Sequence, residues 1–284
     1  MQRHRIVPLV AALLLTFVAP AGAAPATEGT AETSVATEVA AENVVAEMQK
    51  AAAHAFTPGE ELVYKITALG MTAGKARISV GLGSERDGVK AWPVVVQART
   101  DSLFDSVYTV RDKFVTWWHP ESGRVIGADL FADEGGKRHR STSKLDHASG
   151  KAEVMRIREW SGERSKKTYQ IPAGSYDIAG AIFELRRRPL TPGSVEEVDV
   201  FTGKKVFKLR CVVEKQEQVK TKAGTFDAVA VRIQLGFDGQ FASKRDVLAW
   251  FSNDERHVPI KFEAEFALGS IVAELVEAKR GIRL

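Results

Sequence analysis

The chain has 284 residues, with 40 Lys and Arg against 36 Asp and Glu and a formal net charge of +4. Hydrophobic residues make up 44% and charged residues 27%, the balance of an ordinary globular protein. That excludes a wholly disordered chain, a collagen-like repeat and a multi-span membrane protein, and the charge surplus is too small to argue for a nucleic-acid partner. The length admits one or two domains.

The N-terminus reads as a secretory signal peptide over 1–23. Arg3 and Arg5 form a positive n-region, Ile6 to Ala19 an apolar core, and Pro20 with Ala21-Gly22-Ala23 a small-residue cleavage site. The apolar run, about 14 residues, is short of the ~20 that cross a bilayer. Nothing downstream exceeds a few consecutive apolar residues, so no transmembrane segment is expected in the mature chain, and the expected location is the periplasm. Residues 24–55 are rich in Ala, Thr, Val and Glu and lack aromatics until Phe56. Such a segment buries too little apolar surface to offset its ordering entropy and is expected to be a disordered tether.

From Phe56 the dominant period is two. Ala76, Ile78, Val80 and Leu82 alternate with Lys75, Arg77 and Ser79; Val229 through Phe237 and Ile260 through Leu268 alternate in the same way. This is the signature of strands with one face on a core. Turn residues fall between the runs: Ser84 to Gly88, Pro120 to Gly123, Asp133 to Gly136, His147 to Gly150, Thr202-Gly203 and Asn253-Asp254. The expected fold over 56–279 is mainly β: a single curved antiparallel sheet, an open barrel or roll, with one short helix. That helix starts at Asp177 as N-cap, carries Ile178, Ile182, Phe183 and Leu185, and stops at Pro189. Arg186-Arg187-Arg188 reads as a solvated C-terminal cap complementing the helix dipole. Cys211, the lone cysteine, alternates with apolar neighbours and is expected to be a buried small hydrophobe. Two stretches run in parallel order: Arg111-Asp112 before Val115 to Trp118, and Arg245-Asp246 before Leu248 to Phe251, each with an Ala-Gly step upstream at Ala73-Gly74 and Ala223-Gly224. Internal duplication and chance likeness of two hairpins are both open readings.

Several stretches share the order of a known pattern: Phe56-Thr57-Pro58-Gly59-Glu60 with Leu62 and Tyr64, Ala73-Gly74, the helix from Asp177 to Pro189-Leu190, Thr221 to Phe226, and Trp250 to Asp254 with Pro259. The chain thereby resembles the bacterial exported domain family of unknown function numbered 3108, over about Phe56 to Leu275. The resemblance implies a predominantly β, envelope-associated protein and supplies no catalytic residues.

The inventory of reactive groups is thin. His139 and His147 could share a hairpin with Asp133 and Asp146, but no metal-ligand spacing occurs and Lys137, Arg138 and Arg140 surround His139. There is no G-x-S-x-G and no Gly-rich phosphate loop. Asp177 and Glu184 lie on one helix face, yet Asp177 is better explained as the cap. No catalytic residue, metal or other cofactor is expected, and the chain is not expected to be an enzyme. The aromatics are more informative. Trp117 and Trp118, adjacent on a strand, must point to opposite faces, and Trp250 and Phe251 repeat the situation. Trp117, Trp118, Trp250 and Phe251 are therefore the candidate ligand-binding residues, for a lipid or other apolar small molecule or an envelope protein partner. The leading expectation is a non-catalytic periplasmic envelope protein; a structural interaction module is the alternative, and an unrecognised hydrolase ranks third. N-terminal sequencing of the exported protein is expected to start near Ala24; Met1 retained on membrane-bound protein would contradict this.

Overall fold

The computed structural model describes residues 55–235, 246–266 and 269–282. The expected signal peptide, the tether up to residue 54, and the ends of two alternating runs at Gly236-Phe237 and Leu268 lie outside the described residues. Strands β1 (Glu61–Ala68), β2 (Met71–Val80), β3 (Ser84–Arg86) and β4 (Val89–Thr100) lead to a one-turn helix α1 (Ser102–Asp105). There follow β5 (Arg111–His119), β6 (Arg124–Glu134), β7 (Lys137–Asp146), β8 (Lys151–Arg158) and β9 (Glu163–Gln170). After helix α2 (Ile178–Leu185) come β10 (Val195–Phe201), β11 (Val206–Thr221), β12 (Gly224–Leu235), β13 (Val247–Ser252), β14 (Pro259–Phe266) and β15 (Gly269–Lys279).

All fifteen strands belong to one sheet in the order β10-β11-β12-β13-β14-β15-β1-β2-β4-β5-β6-β7-β8-β9, with β3 paired to β4 alone. The neighbours pair antiparallel, and the first and last strands meet mid-sheet, Glu61 opposite Lys279 and Ala68 opposite Ile271. The turns fall where the sequence places them except the first: Ser84 to Arg86 form the short strand β3 paired with β4, and only Asp87-Gly88 turns, both residues taking positive φ, 51° and 76°, the backbone of a tight twisted hairpin. The expected single antiparallel sheet is therefore present, and it is open. The chain leaves the β9 edge, runs through α2 and enters β10 at the opposite edge. The sheet curls enough to bring Tyr169 of β9 within 5.5 Å of Phe201 of β10, ring centre to ring centre, yet the two strands form no ladder. Tyr176 caps the free edge of β10 in part: its N–H donates to Asp199 O (2.9 Å), and Phe201 N–H donates to Tyr176 O (2.7 Å).

The alternating faces converge on one core that includes Leu62, Tyr64, Ile66, Trp118, Phe183 and Cys211. Tyr64, fully buried, satisfies its hydroxyl by donating to Pro259 O at 2.8 Å. Helix α2 starts at Asp177, whose carboxylate accepts from Gly180 N (2.7 Å) and from Thr116 Oγ1 of β5 (2.8 Å). Gly180 is required by close approach, since a β-carbon there would meet Val125 Cγ2 of β6 at 2.5 Å.

Two expectations need correction. One helix was expected and two occur among the described residues. Helix α1 has four residues, too few for helical periodicity to register in sequence. It is held by Arg111 on Asp105 (2.5 Å) and by Thr100 Oγ1 donating to the same carboxylate (2.5 Å). The arginine triplet is not a solvated cap. Arg186 is fully buried and bidentate on Glu60, itself 1% exposed, at 2.6 and 3.0 Å. It also donates to Ala55 O (2.7 Å) and Arg256 O (3.1 Å) and lies over the rings of Phe56 and Phe183. Arg256 binds the same Glu60 carboxylate. Arg187 and Arg188 both bind Glu184, and Arg188 also binds Glu196 (2.9 Å). The end of α2 lies inside the fold, where a cation needs a partner. As for duplication, the two similar hairpins are β5–β6 and β13–β14, but β4 intervenes between the Gly74 strand and β5, whereas β12 pairs directly with β13. The likeness is local to the hairpins and not strand for strand.

Arg186→Met is expected to destabilise the protein by about 3–5 kcal/mol, because it leaves Glu60 buried with its main partner gone. Adding Glu60→Gln should recover part of the loss. Urea unfolding checks both; a single-variant loss below about 1 kcal/mol would contradict the buried pair.

Candidate functional site

Each predicted aromatic pair does split across the sheet. Trp118 is 2% exposed; it meets Phe56 edge-on (5.3 Å), stacks on Tyr176 (6.0 Å) and carries the Arg187 guanidinium on its face. Phe251 is fully buried beside Phe262. Their neighbours face outward and are already roofed. Trp117 donates its indole N–H to Asp129 (2.7 Å) beneath the Arg86 guanidinium, which is itself bidentate on Asp129 at 2.6 and 3.2 Å. Trp250 sits in a small outer cluster with Val219, Ala228, Ala230 and Ile260. Its N–H donates to Glu217 (2.8 Å) and Lys261 lies over its ring at 4.8 Å. The four residues do not form one site: β5 and β13 are separated in the sheet by β4, β2, β1, β15 and β14.

The structure instead forms a cavity of about 60 Å³ where the two ends of the sheet approach each other. Phe114, Leu130, Leu145, Ile178 and Phe201 supply apolar walls, while His139, Arg156 and the Thr202-Gly203 backbone supply a polar side. These residues were not identified from sequence. A signal was present on β8, where one strand face runs Ala152, Val154, Arg156, Arg158 and so changes from apolar to cationic midway. Across from β8 stands the β10–β11 turn with Lys204; a β-carbon at Gly203 would lie 3.7 Å from Arg156 Nη2. Burial, then the charges of Arg156, Arg158 and Lys167, push the Lys204 ammonium down to about 8. Burial and the same cationic neighbourhood lower His139. Asp177 borders this cavity; its Oδ1 accepts from Thr116 and Gly180, its Oδ2 is buried without a hydrogen-bond partner, and burial pushes the acid up to about 6.

His139, in the cavity lining, meets Trp160 edge-on, whereas His147 lies elsewhere and makes contacts to Val125 O (2.7 Å) and Gly174 N (3.2 Å). No group of three His, Cys, Asp or Glu placed to hold a metal occurs among the described residues. Cys211 is fully buried, and burial pushes its thiol up to about 12. Asp112, buried, and Glu134, half-buried, form an acid pair. Asp112 accepts from Asp133 N at 3.2 Å, while Asp112 Oδ2 and Glu134 Oε1 have no hydrogen-bond partner. Burial first, then the neighbouring Glu134, pushes Asp112 up to about 7, and burial also raises Glu134. Since the folded value lies above the ordinary carboxylate range, the stability this acid contributes is fully present below about pH 4 and is lost as pH rises through about 7. Asp112→Asn, which mimics the neutral acid, is expected to exceed the wild type in stability at pH 8 by on the order of 3 kcal/mol and to match it near pH 4. Denaturant melts across that range check this; parallel pH profiles would contradict it.

The fold resembles that of a β-barrel-like protein of domain of unknown function DUF1849 from Brucella abortus, with a TM-score of 0.52 and 13% identity, covering 78% of this chain and 97% of that one. Weaker likenesses are to a hypothetical protein from Chlamydia trachomatis (TM-score 0.37, 10% identity, 84% and 94% covered). A third is to a protein described as exported, with a YmcC-like fold, from Bacteroides fragilis (TM-score 0.28, 9% identity, 79% and 97% covered). No curated protein matches the sequence. The model of the protein-of-unknown-function family DUF3108 matches residues 63–276, nearly the whole of the rolled sheet from β1 to β15, and the chain belongs to that family.

Proposed function

We propose that this chain is a non-catalytic protein of the cell envelope that holds a lipid-like apolar molecule at the seam between the two ends of its sheet. The observation that carries the reading is the missing ladder between β9 and β10 beside an apolar cavity. A cavity of about 60 Å³ is far below the ~300 Å³ of a small-ligand pocket. It suits the end of a chain, with the remainder lying along the seam. Enlarging it breaks side-chain contacts such as Tyr169 with Phe201 and no strand ladder, so the opening is the least costly deformation of the sheet. A chain gains about 25 cal/mol per Å² of apolar surface removed from water, with no reacting group needed.

Export is supported by the Arg3 and Arg5 n-region, the apolar core and the Ala21-Gly22-Ala23 site. The non-catalytic reading is supported by Cys211 and the Asp112–Glu134 pair, none of which lines the cavity, and by the settings of the two titratable groups besides Arg156 that do: Asp177 caps α2 through Gly180, and His139 stands among cations. Native mass spectrometry of protein purified from its own envelope, followed by organic extraction, tests the reading. One co-purifying molecule with an acyl or comparable apolar chain per protein is expected. Protein that is free of such a molecule, and that takes up none when offered lipid, would overturn the reading in favour of a structural interaction module.

A further inference from the structure

We infer that the seam cavity is built for a single-chain amphiphile with an anionic head, a carboxylate or a phosphate, met by Arg156 and Lys204. The inference rests on the lipid-holding reading and adds what the head must be. Three elements send cations to one place: Arg156 and Arg158 from β8, Lys167 from β9, and Lys204 from the β10–β11 turn across the seam. Arg158 is compensated by Glu163. The Arg156 guanidinium is half-buried, yet it makes no ion pair or hydrogen bond with any described residue, Tyr169 and Glu163 acting on it only through space, and the Lys204 ammonium likewise makes none. A cation taken partly out of water is ordinarily paired, as Arg186 is with Glu60 in this same chain. Here like charges face each other across a gap, which disfavours the free arrangement and favours any anion that enters it.

The guanidinium lies beside Gly203, and the cavity it lines also takes in Ser141, His139 and the apolar side chains of Phe114, Leu130 and Phe201, so a place for a head and apolar walls for a chain adjoin. Inward cations also protect sheet edges from pairing with other chains. That role fits Lys167, which stands opposite buried Val154 on the inner face of the edge strand β9, and does not account for Arg156, which is on β8 and lines a cavity. A guanidinium and an ammonium together suit a two- or three-oxygen anion, the first in a fork and the second as a point charge.

Titration calorimetry with dodecanoate, dodecyl phosphate, neutral dodecyl maltoside and inorganic phosphate tests this, on wild type and on Arg156→Gln, Lys204→Gln and the edge-strand control Arg164→Gln. Both anionic dodecyl compounds are expected to bind at least about tenfold more tightly than the maltoside. Arg156→Gln and Lys204→Gln should each remove most of that preference by weakening the anionic compounds far more than the maltoside, with no fall in the melting temperature since each relieves a like-charge repulsion, and Arg164→Gln should leave the preference unchanged. A stronger signal from dodecyl phosphate than from dodecanoate marks a phosphate-headed lipid as the source, and the reverse order marks a fatty acid. Equal binding of neutral and anionic compounds overturns the head assignment while the apolar-ligand reading stands. Failure of every dodecyl compound overturns both. Inorganic phosphate binding as tightly as dodecyl phosphate overturns the amphiphile in favour of a simple anion site.

Discussion

The buried pair between Arg186 and Glu60 joins three parts of the molecule that are distant in sequence. Glu60 lies just before β1, Arg186 ends α2, and Arg256, which shares the carboxylate, sits in the loop between β13 and β14. Burying two such charges costs several kcal/mol per ion, and their attraction offsets this only with good geometry and further hydrogen bonds. The two-oxygen fork and the carbonyls of Ala55 and Arg256 take up four of the five guanidinium N–H groups, and the faces of Phe56 and Phe183 flank the cation. The excess positive charge stands at the C-terminal end of a helix, where the macrodipole favours it.

With its last turn fixed there and its first turn fixed by Asp177 on Thr116 of β5, α2 is held at both ends. The chain on either side of α2 runs from one edge of the sheet to the other. A helix pinned in this way limits how closely β9 and β10 can approach, and the sheet stops short of closure. Tyr176 then satisfies part of the β10 edge, and rings meet where a ladder would otherwise form. The seam is in this sense a product of the helix anchoring. Beside it lies the cavity lined in part from β7 and β8.

Much of the fold was legible because its signals are local. Alternation at Val229 to Ile233, positive-φ turns at Asp87-Gly88, the Asp177 cap and the apolar setting of Cys211 each depend on neighbours within a few residues. The fate of Arg186 was not legible, since its partner Glu60 lies 126 positions away; a triplet of arginines looks solvated until the tertiary fold supplies a buried carboxylate. The aromatic pairs show both sides of the matter. That Trp117 and Trp118 part to opposite faces follows from strand geometry, but the roof over Trp117 comes from Arg86 on β3, and the roof over Trp250 from Lys261 on β14. The cavity gathers residues from β5 to β8, α2 and the β10 end, and its position depends on where pairing stops, which no local period encodes. The change from Val154 to Arg156 along one face of β8 was the one local mark of it.

Photo-crosslinking with a fatty acid carrying a diazirine in its chain tests most directly whether the open seam is the binding site. Peptide mapping is predicted to place the label on the cavity walls, at Leu130, Ile178 or Phe201, with excess unlabelled dodecanoate competing it away. Label confined to the outer face around Trp117 or Trp250, or spread over the exposed apolar side chains without competition, would contradict a site at the seam.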